Sequence, residues 1–266
     1  MRIFRYIFDF HIQSSLHVGL AVLALLHCTV LQLQVNVQLS VSLAVFCGTV
    51  LGYNFLKYAE LVYLGKAKST WHWAIGFCTV LAAVCFLLAL FQLSTAQQVV
   101  FLSSGLLVLG YPLVRRYGWL KLFFVSAAVT YITVFIPLVL EKQFDNELVF
   151  LSVQRFFLLS SLLIPFEIWD SQFDGAHLHT LPQRLGIPKT KMLGYVLLLP
   201  VIALMGWLAE YHLATLVVVL LAALSIFFTE TTRSKYYTSF WVESVPILLW
   251  LILVFQVSSF KLCQLY

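Results

Sequence analysis

Three carboxylates, Glu167, Asp170 and Asp174, follow one another at spacings of three and four in the stretch PFEIWDSQFDGAHLHTLPQRLG, residues 165–186. On a helix those spacings put all three side chains on one face, within reach of each other. Like charges so placed repel. The helix is expected to end at Gly175, so the negative end of its macrodipole opposes them as well. A cation relieves both costs. Carboxylate oxygens are the ligands that Mg2+ prefers, and Mg2+ commonly takes one or two of them together with substrate phosphates. The plain alternative is a solvated acidic helix end just outside a membrane. Most other acidic positions of the chain are isolated, which favours the cation.

The surrounding chain is strongly apolar. Of its 266 residues 62% are hydrophobic and only 10% charged, and the mean hydropathy is +0.96. Apolar runs near the length needed to cross a bilayer recur throughout, which excludes a soluble domain and implies a polytopic helical membrane protein. The length suits one compact bundle, a single domain over 1–266. A net charge of +5 says little about partners, because membrane proteins distribute positive charge by side, and no nucleic acid is expected. The five cysteines, Cys28, Cys47, Cys78, Cys85 and Cys263, contain no CxxC and read as small core residues. The segment MRIFRYIFDFHIQ reads as an uncleaved, interfacial lead-in to the first span.

The apolar runs predict nine spans, at roughly 14–33, 38–57, 72–93, 97–114, 119–140, 147–169, 191–209, 212–230 and 239–258. With the N-terminus placed in the cytoplasm, that side receives Arg2, Arg5, Lys57, Lys66, Lys68, Arg115, Arg116, Lys121, Arg184, Lys189, Lys191, Arg233 and Lys235. The other side receives Lys142 and Lys261, and Arg155 falls inside a span. Thirteen against two orients the bundle, with the acidic stretch facing the cytoplasm. The loops after spans 2 and 6, and those after spans 4 and 8, hold equivalent places in two groups of four helices. Such a pseudo-repeat occurs in transporters as well as enzymes.

Other polar residues have structural readings. Arg155 lies too deep to be tolerated unless it pairs or snorkels. Glu243 faces a central cavity or pairs with Lys235, and pairing is the preferred reading. His177 and His179 read as a polar cap after the carboxylates, and His17 and His27 as satisfied core or interface histidines. The aromatic content of 16% suits interfacial belts first and a cation-stabilising cavity second.

The layout of nine spans, a carboxylate motif after the sixth and basic loops on one side resembles the UbiA superfamily of membrane prenyltransferases. The specific matches are ExxDxxxD at Glu167, Asp170 and Asp174 with TLPQRLG at 180–186, and YPLVRRYGWLK at 111–121. The first is similar to the family's second aspartate-rich motif, the second to its tyrosine, paired basic residues and later lysine after the fourth helix. The resemblance implies an all-α bundle of nine transmembrane helices. It also implies Mg2+-dependent transfer of a prenyl group from a prenyl diphosphate to a lipophilic, aromatic acceptor. By position, Glu167, Asp170 and Asp174 would hold Mg2+. Arg115, Arg116 and Lys121 would contact the diphosphate, with Arg184 and Lys189 as further contacts. For the basic loops, ordinary topology signal and lipid headgroup contact remain the alternative.

The chain departs from the family after span 2. Where the first motif, NDxxDxxxD, belongs, it reads YNFLKYAELVY: Asn54 matches the leading asparagine, which would contact diphosphate, and the acidic positions fall on Phe55, Tyr58 and Val62. Lys57 and Glu60 are the nearby charges. Either Lys57 supplies the positive charge of a second metal, with a catalytic role beside Asp170 and Asp174, or the motif records the loss of prenyl transfer. The alternative function is a non-catalytic membrane protein that binds an isoprenoid or assists a partner enzyme.

Overall fold

The computed structural model describes residues 2–63, 70–138, 146–175, 178–205 and 212–263. Lys66, Lys68, Lys142 and His177, and the side chains of Glu60 and Lys261, lie outside the described residues. The regular elements described are all helical. They are α1 (Arg2–Gln13), α2 (Leu16–Gln32), α3 (Leu39–Tyr63), α4 (Thr70–Phe91), α5 (Thr95–Arg115), α6 (Leu120–Thr130), α7 (Asn146–Leu162), α8 (Ile164–Asp170), α9 (Leu181–Leu185), α10 (Ile187–Ala203), α11 (His212–Phe227) and α12 (Val245–Cys263).

Their order around the bundle follows from which apolar faces meet. Helix α2 packs against both α3 and α12, α3 against α4, α6 against α5 and α7, α7 against α10, and α11 against α10 and α12. The largest buried cluster joins α2, α7, α10, α11 and α12 through residues such as Leu151, Leu198, Val218 and Leu253. A second cluster joins α2, α3 and α5 through Leu26, Val45 and Phe101. The outer walls stay apolar without being buried: Phe77, Phe91 and Phe255 are among many large hydrophobics that face outward. That pattern is unaffordable in water and natural in a bilayer.

Five described helices are long and apolar enough to cross a membrane alone, and a sixth crossing forms if the bent pair Phe4–Gln13 and Leu16–Gln32 counts as one. Of the nine expected spans, those at 119–140 and 212–230 fall on shorter apolar helices, Leu120–Phe135 and His212–Phe227. The span expected at 191–209 falls on α10, which starts earlier, at Ile187, and has 17 residues. Two π-helical turns explain part of the irregularity. Tyr131–Phe135 extends α6 just before Pro137, and Tyr237–Val242 leads into α12 just before Pro246. A proline offers no N–H to the carbonyl four residues back, so the turn before it is free to widen.

Helix α1 is amphipathic and turns 60° away from α2. The break falls at Ser14–Ser15, where Ser15 adopts the left-handed conformation with φ 60°. Side chains from α3 and α4 hold the break. Asn54 Nδ2 donates to Ser14 O at 3.0 Å, Lys57 Nζ to Ser15 Oγ at 3.1 Å, and Tyr58 Oη to Gln13 O at 2.9 Å. Trp71 Nε1 donates to Gln13 Oε1 at 2.6 Å. On its other side α1 sets Phe8 against Tyr236 and Phe240. His17 bonds His11 at 3.2 Å, and its Nε2 lies 3.1 Å from both Phe240 O and Ser244 Oγ. His27 meets Ser42 Oγ at 3.3 Å. Both histidines are thus satisfied structural residues, as expected.

Arg155 is 2% exposed, deep within α7. It donates to Leu25 O at 2.7 Å and to Gln32 Oε1 at 3.2 Å, so it pairs with neutral acceptors on α2 rather than snorkelling. Arg155→Ala removes both donors; Leu25 O keeps the Thr29 hydroxyl at 3.3 Å, whereas Gln32 Oε1 loses its partner, at a cost of about 1–3 kcal/mol. We expect a clear fall in the melting temperature of the detergent-purified protein. An unchanged melt would assign Arg155 no structural role.

Candidate functional site

The three carboxylates gather, but not along one helix. Helix α8 ends at Asp170, and the chain turns through residues 171–174, with Asp174 N bonded to Asp170 O at 3.0 Å. Glu167 therefore points from the helix and Asp174 from the turn beyond it, towards the same point. At that point stands Lys121, the second residue of α6. Its Nζ lies 3.3 Å from Glu167 Oε1 and 3.1 Å from Asp174 Oδ2, with all three side chains buried. Asp170 is half-buried beside them, within the electrostatic reach of Lys121, Asp174 and Arg115.

Local structure explains why a loop can approach so closely. Gly118, in the turn between α5 and α6, donates its N–H to Leu178 O at 3.0 Å. A Cβ there would overlap the Leu178 carbonyl and stand 3.0 Å from Thr180 Cγ2. Gln183 fastens the same loop from α9. Its Oε1 accepts from Thr180 N at 3.1 Å, and its Nε2 donates to Asp174 O at 3.2 Å and Gly175 O at 3.3 Å. On the far side Trp169 Nε1 donates to Arg233 O and Gln172 Nε2 to Thr231 O, both at 2.9 Å. Beneath the cluster, Leu122, Ile164, Ile168 and Leu181 form a dry apolar floor.

The remaining residues singled out in the sequence fall in three places. Arg115 and Arg116 sit exposed at the rim, with Arg115 close enough to act on Asp170 and Tyr111. Arg184 and Lys189 are exposed on the surface, and His179 is exposed beside the loop. Asn54 and Lys57 stand on α3, where their hydrogen bonds run to the α1–α2 break and to α4. Both amide hydrogens of Asn54 are occupied, by Ser14 O and by Thr79 Oγ1 at 2.9 Å, and among the described residues its buried Oδ1 has no partner. What Asn54 offers inward is therefore an acceptor, which suits a phosphate poorly.

Glu243 departs from its expected pairing. Lys235 lies 3.8 Å from Asp9 and over the ring of Tyr236, whereas the charged neighbour of Glu243 is Lys57. Tyr53 lies within the electrostatic reach of Glu243 and of Tyr111, and Tyr111 within that of Lys121, Glu167 and Asp170. Sequence reasoning passed over Tyr53, Gln183 and Gly118. Gln183 carried a usable signal, since a glutamine three residues after Thr180 is a capping-box spacing.

The donor set admits Mg2+ on two grounds. Among the described residues the buried Glu167 Oε2 has no partner, and three carboxylates gather against one close cation, Lys121, and one at the rim, Arg115. Among the described residues no three acidic, histidine or cysteine side chains form a ready-made metal cage. A metal held here would rely on one or two carboxylates and a phosphate, the usual arrangement for Mg2+.

Comparison with known proteins gives the fold its place. No family model and no curated protein matches the chain. Two solved structures do. A UbiA homolog from Aeropyrum pernix K1, at 14% identity and a TM-score of 0.65, covers 90% of this chain and 98% of its own. A digeranylgeranylglyceryl phosphate synthase, also at 14% identity with a TM-score of 0.57, covers 95% of this chain and 99% of its own. The helical membrane bundle described above is a UbiA-type fold.

Gly118→Ala tests the docking of the loop. The added methyl has to displace the Leu178 carbonyl, and overpacking of that kind costs about 1–3 kcal/mol. Thermal unfolding should register that loss, together with faster proteolysis between residues 171 and 180. A variant as stable and as protease-resistant as the parent would show that the close approach is dispensable.

Proposed function

We propose that this protein transfers a prenyl group from a prenyl diphosphate to a lipophilic acceptor at the mouth of the bundle. The observation that carries the reading is the cluster of Glu167 and Asp174 closed around buried Lys121, with Asp170 half-buried beside them. It puts metal-binding oxygens and a phosphate-binding cation in one desolvated place at the head of an apolar bundle. The UbiA-type fold supports it. In this reading Glu167, Asp170 and Asp174 hold Mg2+, and Lys121 and Arg115 take the diphosphate, with Arg116 and Arg184 at the rim. The metal supplies Lewis acidity towards the departing diphosphate.

The protein's own part is electrostatic. Diphosphate leaves with its bonding electrons, and charge developing on it is stabilised most by cations fixed in a dry site. Lys121 meets that need because Glu167 and Asp174 orient it from two sides. Lys57 stands where a second carboxylate motif would bind another metal, and contributes one fixed positive charge there. The excess of lysine and arginine on this face supports a cytoplasmic orientation for the site. The second reading, an isoprenoid-binding protein without turnover, draws its support from that same replacement by Lys57.

Calorimetric titration of geranylgeranyl diphosphate into detergent-purified protein tests the site. Binding should require Mg2+ and disappear in EDTA. Asp170→Asn with Asp174→Asn should abolish it. Lys121→Met should weaken it by about tenfold or more, the equivalent of about 1.4 kcal/mol. Equal binding with and without Mg2+, or binding untouched by these substitutions, would overturn the assignment. Binding without release of diphosphate in the presence of any acceptor would favour the second reading.

A further inference from the structure

Within the largest buried cluster lies a small polar cavity that the proposed reaction leaves unused. Five helices meet at it. Gln32 comes from α2, Gln154 and Arg155 from α7 and Thr215 from α11, and the apolar part of the wall includes Val201 of α10 and Leu249 of α12. The four polar residues are 8%, 6%, 2% and 5% exposed, so each is more than nine-tenths withdrawn from solvent. Arg155 carries five N–H donors and a charge it does not lose. Two of those donors go to neutral acceptors, Leu25 O and Gln32 Oε1. Among the described residues the ion pairs are those of Lys121 and Lys235, and no carboxylate answers the guanidinium. Among the same residues no hydrogen bond engages Gln32 Nε2, Gln154 Oε1 or Thr215 Oγ1, and the wall they line is partly polar.

An unanswered guanidinium this deep in an apolar bundle is costly, and so are polar side chains without partners. The cavity itself limits what can serve them. It leaves about 10 Å³ in which the centre of a water-sized particle can move, room for one such particle. A carboxylate, a phosphate or a lipid headgroup is too large, so water and a monatomic anion remain. The balance of donors decides between them. Arg155 keeps three of its five N–H and Gln32 offers two, whereas Gln154 Oε1 is the one pure acceptor and the Thr215 hydroxyl serves either way. Water donates as many bonds as it accepts and brings no charge. An anion accepts from every side and neutralises the guanidinium.

We propose that this cavity binds one chloride ion on Arg155, Gln32 and Thr215, and that the stability of the bundle therefore depends on halide. The ion neutralises Arg155 where α2, α7, α10, α11 and α12 come together. Arg155 precedes Glu167 by twelve residues, and the ion takes no part in the chemistry of the Lys121 cluster. The inference therefore stands apart from the prenyl-transfer reading.

The test melts the full chain in detergent while sodium chloride replaces sodium gluconate stepwise at constant ionic strength. The unfolding midpoint should rise by about 3 °C or more and level off as the site fills. Bromide should act likewise, and crystals grown in bromide should show its anomalous signal beside Arg155. Arg155→Gln should melt at the same temperature in both salts. If that variant does not fold, Thr215→Val, which keeps the volume, reads the same site. Its half-saturating chloride concentration should rise by about threefold or more, the scale of one lost hydrogen bond. Equal midpoints in chloride and gluconate overturn the proposal, as does a chloride response that survives in folded Arg155→Gln or is unchanged in Thr215→Val. A cavity that holds water alone, or a bromide signal without any shift in stability, overturns it too.

Discussion

The structure around the mouth depends on one ammonium group. Lys121 is withdrawn from water between Glu167 and Asp174, and a lysine in that position is tolerable only while both carboxylates face it. The reverse holds too, since without Lys121 three acidic side chains would crowd one desolvated place. Mutual need of this kind fixes geometry. Helix α8 has to stop at Asp170 so that the chain can turn Asp174 back. The loop has to lie close enough to the α5–α6 turn that Gly118 leaves no room for a side chain, and Gln183 has to bond the backbone of Asp174 itself.

The two walls of the mouth differ electrically. One carries an excess of negative charge around Lys121; the other carries one positive and one negative charge that stay apart. Where the family resemblance leads one to expect a first acidic motif, this chain has Lys57, whose charged neighbour is Glu243. Tyr53 and Tyr111 stand near these charges, with rings for apolar contact and hydroxyls for polar contact.

How much of this could be read from the letters depended on range. The all-helical membrane bundle was legible because long apolar runs are a property of consecutive residues. Glu167, Asp170 and Asp174 were legible as a group because they are neighbours in sequence, although the single helix expected to align them proved to be a helix and a turn. Lys121 was recognised as a cation of interest, but not as the partner of those carboxylates, since nothing local connects α6 to the loop after α8. Glu243 was misassigned for the same reason. Lys235 is nearby along the chain, whereas Lys57 reaches it only through closure of the bundle, and Asp9 had taken Lys235. The span expected at 239–258 falls on one long apolar segment, Tyr237–Ser258, despite its π-helical turn, whereas those at 119–140 and 212–230 fall on shorter apolar helices.

The bond from Arg155 to Leu25 acts on the mouth from a distance, as a ruler does. It fixes the axial offset between α7 and α2 to a single residue. Leu25 stands ten residues beyond Ser15 on α2, roughly 15 Å at 1.5 Å per residue, and Arg155 stands twelve before Glu167, roughly 18 Å. Only Leu163 separates α7 from α8, so the depth of Glu167 relative to Ser15, and hence to Lys57, is measured from that buried contact. The height of Glu167 relative to Lys57 is thus set in the middle of the bundle, by a residue that touches neither.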